Sequence, residues 1–273
     1  HLARTKAFDG IVHFIFQPAE EGEAGAKAMM DDGLFTDFPM EAVYGLHNWP
    51  GMPIGQLGMR VGAQMAAMDV FEVKIFGQGG HAALPHLAID PIVVGAELVG
   101  AWQTLVSRTV KPTEPAVVTV TQFHGGDAYN VIPESVVLRG TVRCFSQGVR
   151  ATLEARMKQL ADGLCAAHGC RLEWWYAQRF PPTVNSAQET AIAARAAAAV
   201  VGEARVDTAV EPVTGSEDFG YMLEAKPGCY AFIGNGPGAG GCLLHSPTYD
   251  FNDDVIPIGA SYWVTLVEQV LAR

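Results

Sequence analysis

The apolar positions of this chain follow two rhythms. Between Ile11 and Phe16 they run almost without a break, and the run stops at Gln17-Pro18. Pro18 has no N–H and restricts the residue before it, so the pattern predicts a buried strand ending at Gln17. A short helix is expected from Gly25 to Asp32, with Gly33 closing it. Apolar runs at Ala42–Leu46 and Gly55–Val61 predict two further strands. Near Met68 the rhythm changes to alternation. Val70–Phe76, Ala116–Phe123, Ser135–Phe145 and Arg171–Gln178 read as half-buried strands. Pro91–Val106 and Val149–Ala167 carry helical periodicity, with Asp90 as N-cap of the first and Gly169 ending the second.

The resulting β-α-β-β-α-β order is the split βαβ pattern of ferredoxin-like domains. Its alternating strands imply a sheet with one face under helices and the other exposed, which suits contact with a second copy. Pro181–Asn185 reads as a return linker. An Ala-rich helix follows at Gln188–Val201, then a short helix at Ser216–Glu224. Ser216 is its expected N-cap, and Glu217-Asp218 suit its first turn. A short strand at Cys229–Ile233 and a closing helix at Asp254–Leu271 complete the chain. The expected fold class is therefore α/β. A mixed-sheet domain of residues 1–68 and 184–273 is interrupted by a ferredoxin-like domain at 69–183.

Composition narrows the functional classes. A net charge of -11 in 273 residues, with no basic patch, argues against a nucleic-acid partner. No apolar run approaches the ~20 residues that span a bilayer, so no membrane partner is expected. The five cysteines lack a CxxC spacing, and an odd, scattered set suits a reducing cytoplasm. The opening residues, His1 to Lys6, are not a signal peptide, and without an initiator Met the chain reads as a fragment or processed product. Gly236-Pro-Gly-Ala-Gly-Gly241 formally fits GxGxxG, but a proline interrupts it and no helix follows, so it is not read as a dinucleotide site.

Chemistry concentrates in three segments. Glu20 and Glu21 are adjacent, and two like charges are costly to hold together unless a cation shares them or one takes a proton. His47 follows the apolar run at Ala42–Leu46, and His245 follows Leu243-Leu244. One carboxylate and two imidazoles make a partial shell for a divalent cation. From spacing alone these are equally two ordinary loop histidines, because no HExxH motif joins them. Arg139 and Arg143 lie four apart on one strand face, so spacing does not distinguish between them. Asp218 reads as a helix N-terminal acid. His13, His86, His124 and His168 have no motif partner, and Trp49, Trp174 and Trp175 read as packing residues.

Several longer stretches occur in order along nearly the whole chain: Phe16-Gln-Pro-Ala-Glu-Glu-Gly22, Gly45-Leu-His-Asn-Trp-Pro-Gly51 and Gly77-Gln-Gly-Gly-His-Ala-Ala-Leu-Pro-His86, followed by Tyr129-Asn-Val-Ile-Pro-Glu134, Leu138-Arg-Gly-Thr-Val-Arg143, Gly215-Ser-Glu-Asp-Phe219 and Leu244-His-Ser-Pro-Thr-Tyr-Asp-Phe-Asn252. Together they resemble the M20 metallopeptidase and amidohydrolase family, in its branch of hippurate, N-acyl-amino-acid and auxin-conjugate hydrolases. The resemblance implies a hydrolase of N-acyl or N-aroyl amino acids or short peptides. It implies divalent ions, two per complete site, of Zn, Mn, Co or Ni. Glu20 matches the general base, and Glu21, His47 and His245 match metal ligands. His81 matches a lid histidine that steadies the oxyanion in the partner subunit's site of a homodimer. Asn130 and Arg143 match groups near the substrate carboxylate, and the β-α-β-β-α-β domain matches the lid through which such proteins dimerise. Members of this branch also carry a His-Ala-Cys-Gly-His-Asp motif upstream, which residues 1–19 do not match. The expectation is a catalytic domain incomplete at its N-terminus, with poor metal affinity. The alternative is an impaired chain that only dimerises or binds an acylated ligand.

Overall fold

The computed structural model describes residues 1–237 and 243–273. Most of the Gly236–Gly241 stretch and Cys242 therefore lie outside the described residues. The chain divides into two compact units. One comprises residues 1–65, 183–213 and 217–273, and the other residues 66–182 with 214–216.

The first unit is built on a mixed sheet in the order Val43–Pro50, Gly228–Gly236, Leu57–Gly58, Val206–Asp207. Val43–Pro50 runs parallel to Gly228–Gly236, and Leu57–Gly58 is antiparallel to that same strand. Every residue of Gly228–Gly236 is buried, as befits a strand paired on both edges. The helices Ala187–Val201 and Ile256–Val270 contribute Ala193, Ala196, Ala197, Tyr262 and Leu266 to the core beside Leu57, Cys229 and Ala231. The small alanines let the first of these helices approach closely. Thr183–Asn185, read as linker, pairs antiparallel with Gly62–Met65.

The predicted strand at Ile11–Phe16 does not form. The segment is unpaired, and Ile11, Phe14 and Phe16 are 77%, 65% and 87% exposed. An apolar run becomes a strand only when a neighbour takes up its N–H and C=O groups. Among the described residues no strand lies beside it. The helix expected at Ser216–Glu224 is shorter as well, beginning only at Gly220 and ending at Ala225.

The second unit is a four-stranded antiparallel sheet in the order Ala116–His124, Ser135–Cys144, Ala67–Phe76, Arg171–Phe180. Burial alternates strictly along Ala67–Phe76, as its sequence pattern requires. Helices Pro91–Thr104 and Gln147–His168 bring Leu98, Trp102, Leu153 and Met157 onto Phe71, Val73 and Leu138. Asp90 caps the first helix by accepting from the Ile92 N–H at 2.9 Å. Gly169 ends the second at φ 72°, where a glycine is needed. Within this core Asp69 and Arg150 are both buried and form a bidentate ion pair, and Tyr176 donates to Asp69 Oδ2 at 2.7 Å.

Candidate metal centre and acidic cluster

Glu20 and Glu21 sit on an irregular loop rather than at a strand end. Ala19, Gly22 and Ala24 all have positive φ, at 51°, 90° and 53°. The loop closes on itself at its base. A Cβ on Gly25 would fall 1.8 Å from the Pro18 carbonyl oxygen, so only glycine fits there.

Beneath this loop lie two acids that the sequence assigned to a helix N-terminus. Asp218 is fully buried and Glu217 nearly so. Asp218 accepts from the Ala26 N–H at 2.8 Å and, through its other oxygen, from the Gln17 side-chain amide. Glu217 accepts from the Phe219 N–H at 3.1 Å and from the Tyr230 hydroxyl at 2.6 Å. The Tyr230 ring in turn occupies the space over Gly45, where a Cβ would come within 2.6 Å of it.

Three carboxyls thus crowd one region, and none of the Lys or Arg ion pairs among the described residues includes them. Partial burial, and then Glu217, Glu21 and Asp218, push the Glu20 carboxyl up to about 7. Burial raises Asp218 as well, against the Ala26 N–H that favours its charge. Burial and the neighbouring Glu217 raise the Tyr230 hydroxyl well above its ordinary value.

Of the expected metal ligands, Glu21 and His245 meet, with His245 Nδ1 3.7 Å from Glu21 Oε1 and both side chains largely exposed. His47 stands on strand Val43–Pro50, packed edge-on toward Trp49 and near the Tyr230 ring. Its Nδ1 lies 2.6 Å from the Asn48 carbonyl, which can only accept, so Nδ1 carries the hydrogen and Nε2 keeps the lone pair a metal would use. Asn48 also donates to the Tyr249 hydroxyl, tying this strand to the segment that bears His245. Among the described residues no three His, Cys, Asp or Glu side chains gather closely enough to hold an ion. The donor chemistry nevertheless fits a divalent cation: one carboxylate and two imidazoles, one of them already held in the tautomer that a ligand needs.

In the second unit His81 is exposed on the two-residue strand Gly80–His81, which pairs with Val131–Ile132. The Asn130 carbonyl accepts from the Ala82 N–H at 3.0 Å, so His81 and Asn130 share this ladder. Arg139 is engaged on the sheet surface by Glu72 and by Gln122 at 3.1 Å. Arg143 is half-buried, donates to the Ser216 hydroxyl, and belongs to no ion pair among the described residues. Burial lowers its pKa from the ordinary value, with Asp69 opposing.

The sequence profile of the peptidase family M20/M25/M40 matches residues 1–269. The chain belongs to this family. It is 38% identical over 268 residues to the Arabidopsis thaliana IAA-amino acid hydrolase ILR1-like 2, covering 96% of the chain and 60% of that protein. It is 34% identical over 267 residues to the hippurate hydrolase of Campylobacter jejuni, covering 98% and 69%. A crystal structure of a dinuclear metal-binding M20 peptidase from Bacillus subtilis superimposes with a TM-score of 0.82 at 29% identity, covering 98% of this chain and 67% of that one. The chain thus spans roughly three-fifths to two-thirds of these M20 relatives. Its mixed α/β architecture accords with that family.

Gln17 and Tyr230 were not expected in this cluster, and Glu217 was read only as an acid of a helix first turn. The signal was there in Gly215-Ser-Glu-Asp-Phe219, but two acids after a serine are also what a helix N-terminus looks like.

Proposed function

We propose that the chain carries part of the catalytic apparatus of an amidohydrolase that cleaves N-acyl or N-aroyl amino acids, hippurate-like compounds included. The observation that carries this reading is geometric: the half-buried Glu20 adjoins Glu21, whose Oε1 lies 3.7 Å from His245 Nδ1. In the metal-free chain burial and the neighbouring acids push the Glu20 carboxyl up, which suits a group that takes and returns a proton.

Glu21, His245 and His47 would hold a divalent ion, of which Zn, Mn, Co and Ni are the candidates. When bound, such an ion polarises the scissile carbonyl and acidifies the attacking water. Glu20 takes the proton from that water and later delivers one to the leaving amine, so the same carboxyl serves both half-steps. Arg143 holds the substrate carboxylate in a charge-assisted bond, and Asn130 adds a polar contact at that end. Arg139, already occupied by Glu72 and Gln122, is the weaker candidate for this role. The second unit is assigned the lid and dimer contact. His81 of a second copy donates to the developing oxyanion, a contact worth about 3–4 kcal/mol.

Release of glycine from hippurate by the chain supplied with Mn²⁺, Co²⁺ or Zn²⁺, lost in Glu20→Gln, tests the proposal. Hydrolysis that survives Glu20→Gln sinks it. That no three ligands gather among the described residues favours one other reading, a chain that binds an acylated ligand without cleaving it. Hippurate binding without glycine release, unchanged in Glu20→Gln, would identify that case.

A further inference from the structure

The loop bearing Glu20 and Glu21 is held in a costly conformation. Ala19 and Ala24 occupy the left-handed region at φ 51° and 53°, where a residue with a Cβ is strained. Loops do not keep such geometry unless their surroundings impose it. Here the imposing group is identifiable. One oxygen of the fully buried Asp218 takes the Ala26 N–H, just past the loop, and the other takes the Gln17 amide, just before it. A single carboxylate therefore ties both ends together. Glu217, Gln17's second acceptor at 3.3 Å, is itself fixed by Tyr230 and by the Phe219 N–H. The contact of Gly25 with the Pro18 carbonyl closes the same base independently.

We infer that Asp218, seconded by Glu217, is the positioning residue of the Glu20–Glu21 loop, clamping its two ends so that the acids stand at fixed places in the metal-binding and proton-transfer region. This rests on the functional reading above for what the loop does, but not for the clamp itself. Asp218 touches neither substrate nor ion in this role and acts through Gln17 and Ala26.

The test uses the chain with Asp218→Ala, Asp218→Asn and Gln17→Ala, read in two ways. Hydrogen exchange of the peptide covering residues 18–26 reports the clamp. The visible spectrum during Co²⁺ titration reports the ligand field and affinity. Asp218→Ala is expected to speed exchange about tenfold and weaken Co²⁺ binding about tenfold with an altered band shape, the scale on which supports of metal ligands act. Asp218→Asn keeps an acceptor for the Ala26 N–H and should recover part of both. Gln17→Ala, at a half-buried position, carries the test if Asp218→Ala does not fold. Unchanged exchange in Asp218→Ala and Gln17→Ala overturns the clamp. Faster exchange with an unchanged Co²⁺ spectrum and affinity overturns the positioning role. If the parent chain takes up no Co²⁺, the metal-site reading fails on its own, and faster or unchanged exchange then supports or overturns the clamp.

Discussion

Each unit buries carboxylates, and the two treat them in opposite ways. In the second unit Asp69 is met by a bidentate Arg150 and by the Tyr176 hydroxyl, so its charge is answered inside the core. In the first unit Glu20, Glu217 and Asp218 crowd together; Glu217 and Asp218 receive amide, hydroxyl and backbone donors, and none of the three belongs to a Lys or Arg ion pair among the described residues. A paired buried acid is a structural joint, and removing one partner strands the other. A cluster of acids without a cation is an unresolved cost, and a fold keeps such a cost mainly where a ligand or a proton transfer resolves it. Burial alone therefore does not separate structural from functional acids here. Under the proposed function, what sets Glu20 apart from Asp69 is that no cation of the chain answers its charge among the described residues.

Five measurements would break or sharpen that contrast. The largest effect is expected from Glu20→Gln, which should lower hippurate hydrolysis about 10²–10⁴-fold, the range of lost acid–base catalysis. Its thermal stability should hold or rise, because a mutual repulsion is relieved. Next, Asp69→Ala should destabilise the second unit by about 3–5 kcal/mol by stranding Arg150 in the core, seen as an earlier urea transition. If that substitution were harmless while Glu20→Gln unfolded the chain, the contrast would be reversed.

The third prediction concerns pH. Glu20 rises from an ordinary 4.5 to about 7 in the folded chain, so the folded state holds this proton more tightly than the unfolded one. Its contribution is fully present below about 4.5 and is lost as pH rises through about 7. In the metal-free chain, denaturation curves across that window should show stability declining with pH. Glu20→Gln should flatten the decline, and saturating Mn²⁺ should flatten it too by supplying the missing charge. The smallest effect is expected at Arg139. Its exposed pair with Glu72 is worth roughly 0–1 kcal/mol, so Arg139→Ala should barely shift the urea midpoint. Arg143→Ala, by contrast, should raise KM for hippurate with little change in stability.

The two units also differ in how far they could be read beforehand. In Ala67–Phe76 and Ser135–Cys144 the period of two prescribes a strand, a buried face and a register of side chains. Asp90 and Gly169 were legible as helix ends because capping acts between near neighbours in the chain. Ile11–Phe16 misled because its apolar run expresses a tendency to be buried but not a partner to be buried against. Glu217 and Asp218 misled for a related reason. Their local context suits the first turn of a helix, while the groups that claim them, Gln17, Ala26 and Tyr230, include two that lie about two hundred positions away.

Sequence by itself determined the α/β class, the alternating strands of the second unit, the family, and the residue types that carry the candidate chemistry. These depend on local periodicity, capping and ordered motifs, which are written along the chain. Only the tertiary structure decided that Glu21 meets His245, that His47 presents Nε2, that Arg139 is occupied, and that Asp218 ties the two ends of the Glu20 loop. Hydrogen bonds and charge–charge forces act over a few ångströms in space, so which groups feel them is set by where the chain returns upon itself, a property that spacing in sequence does not encode.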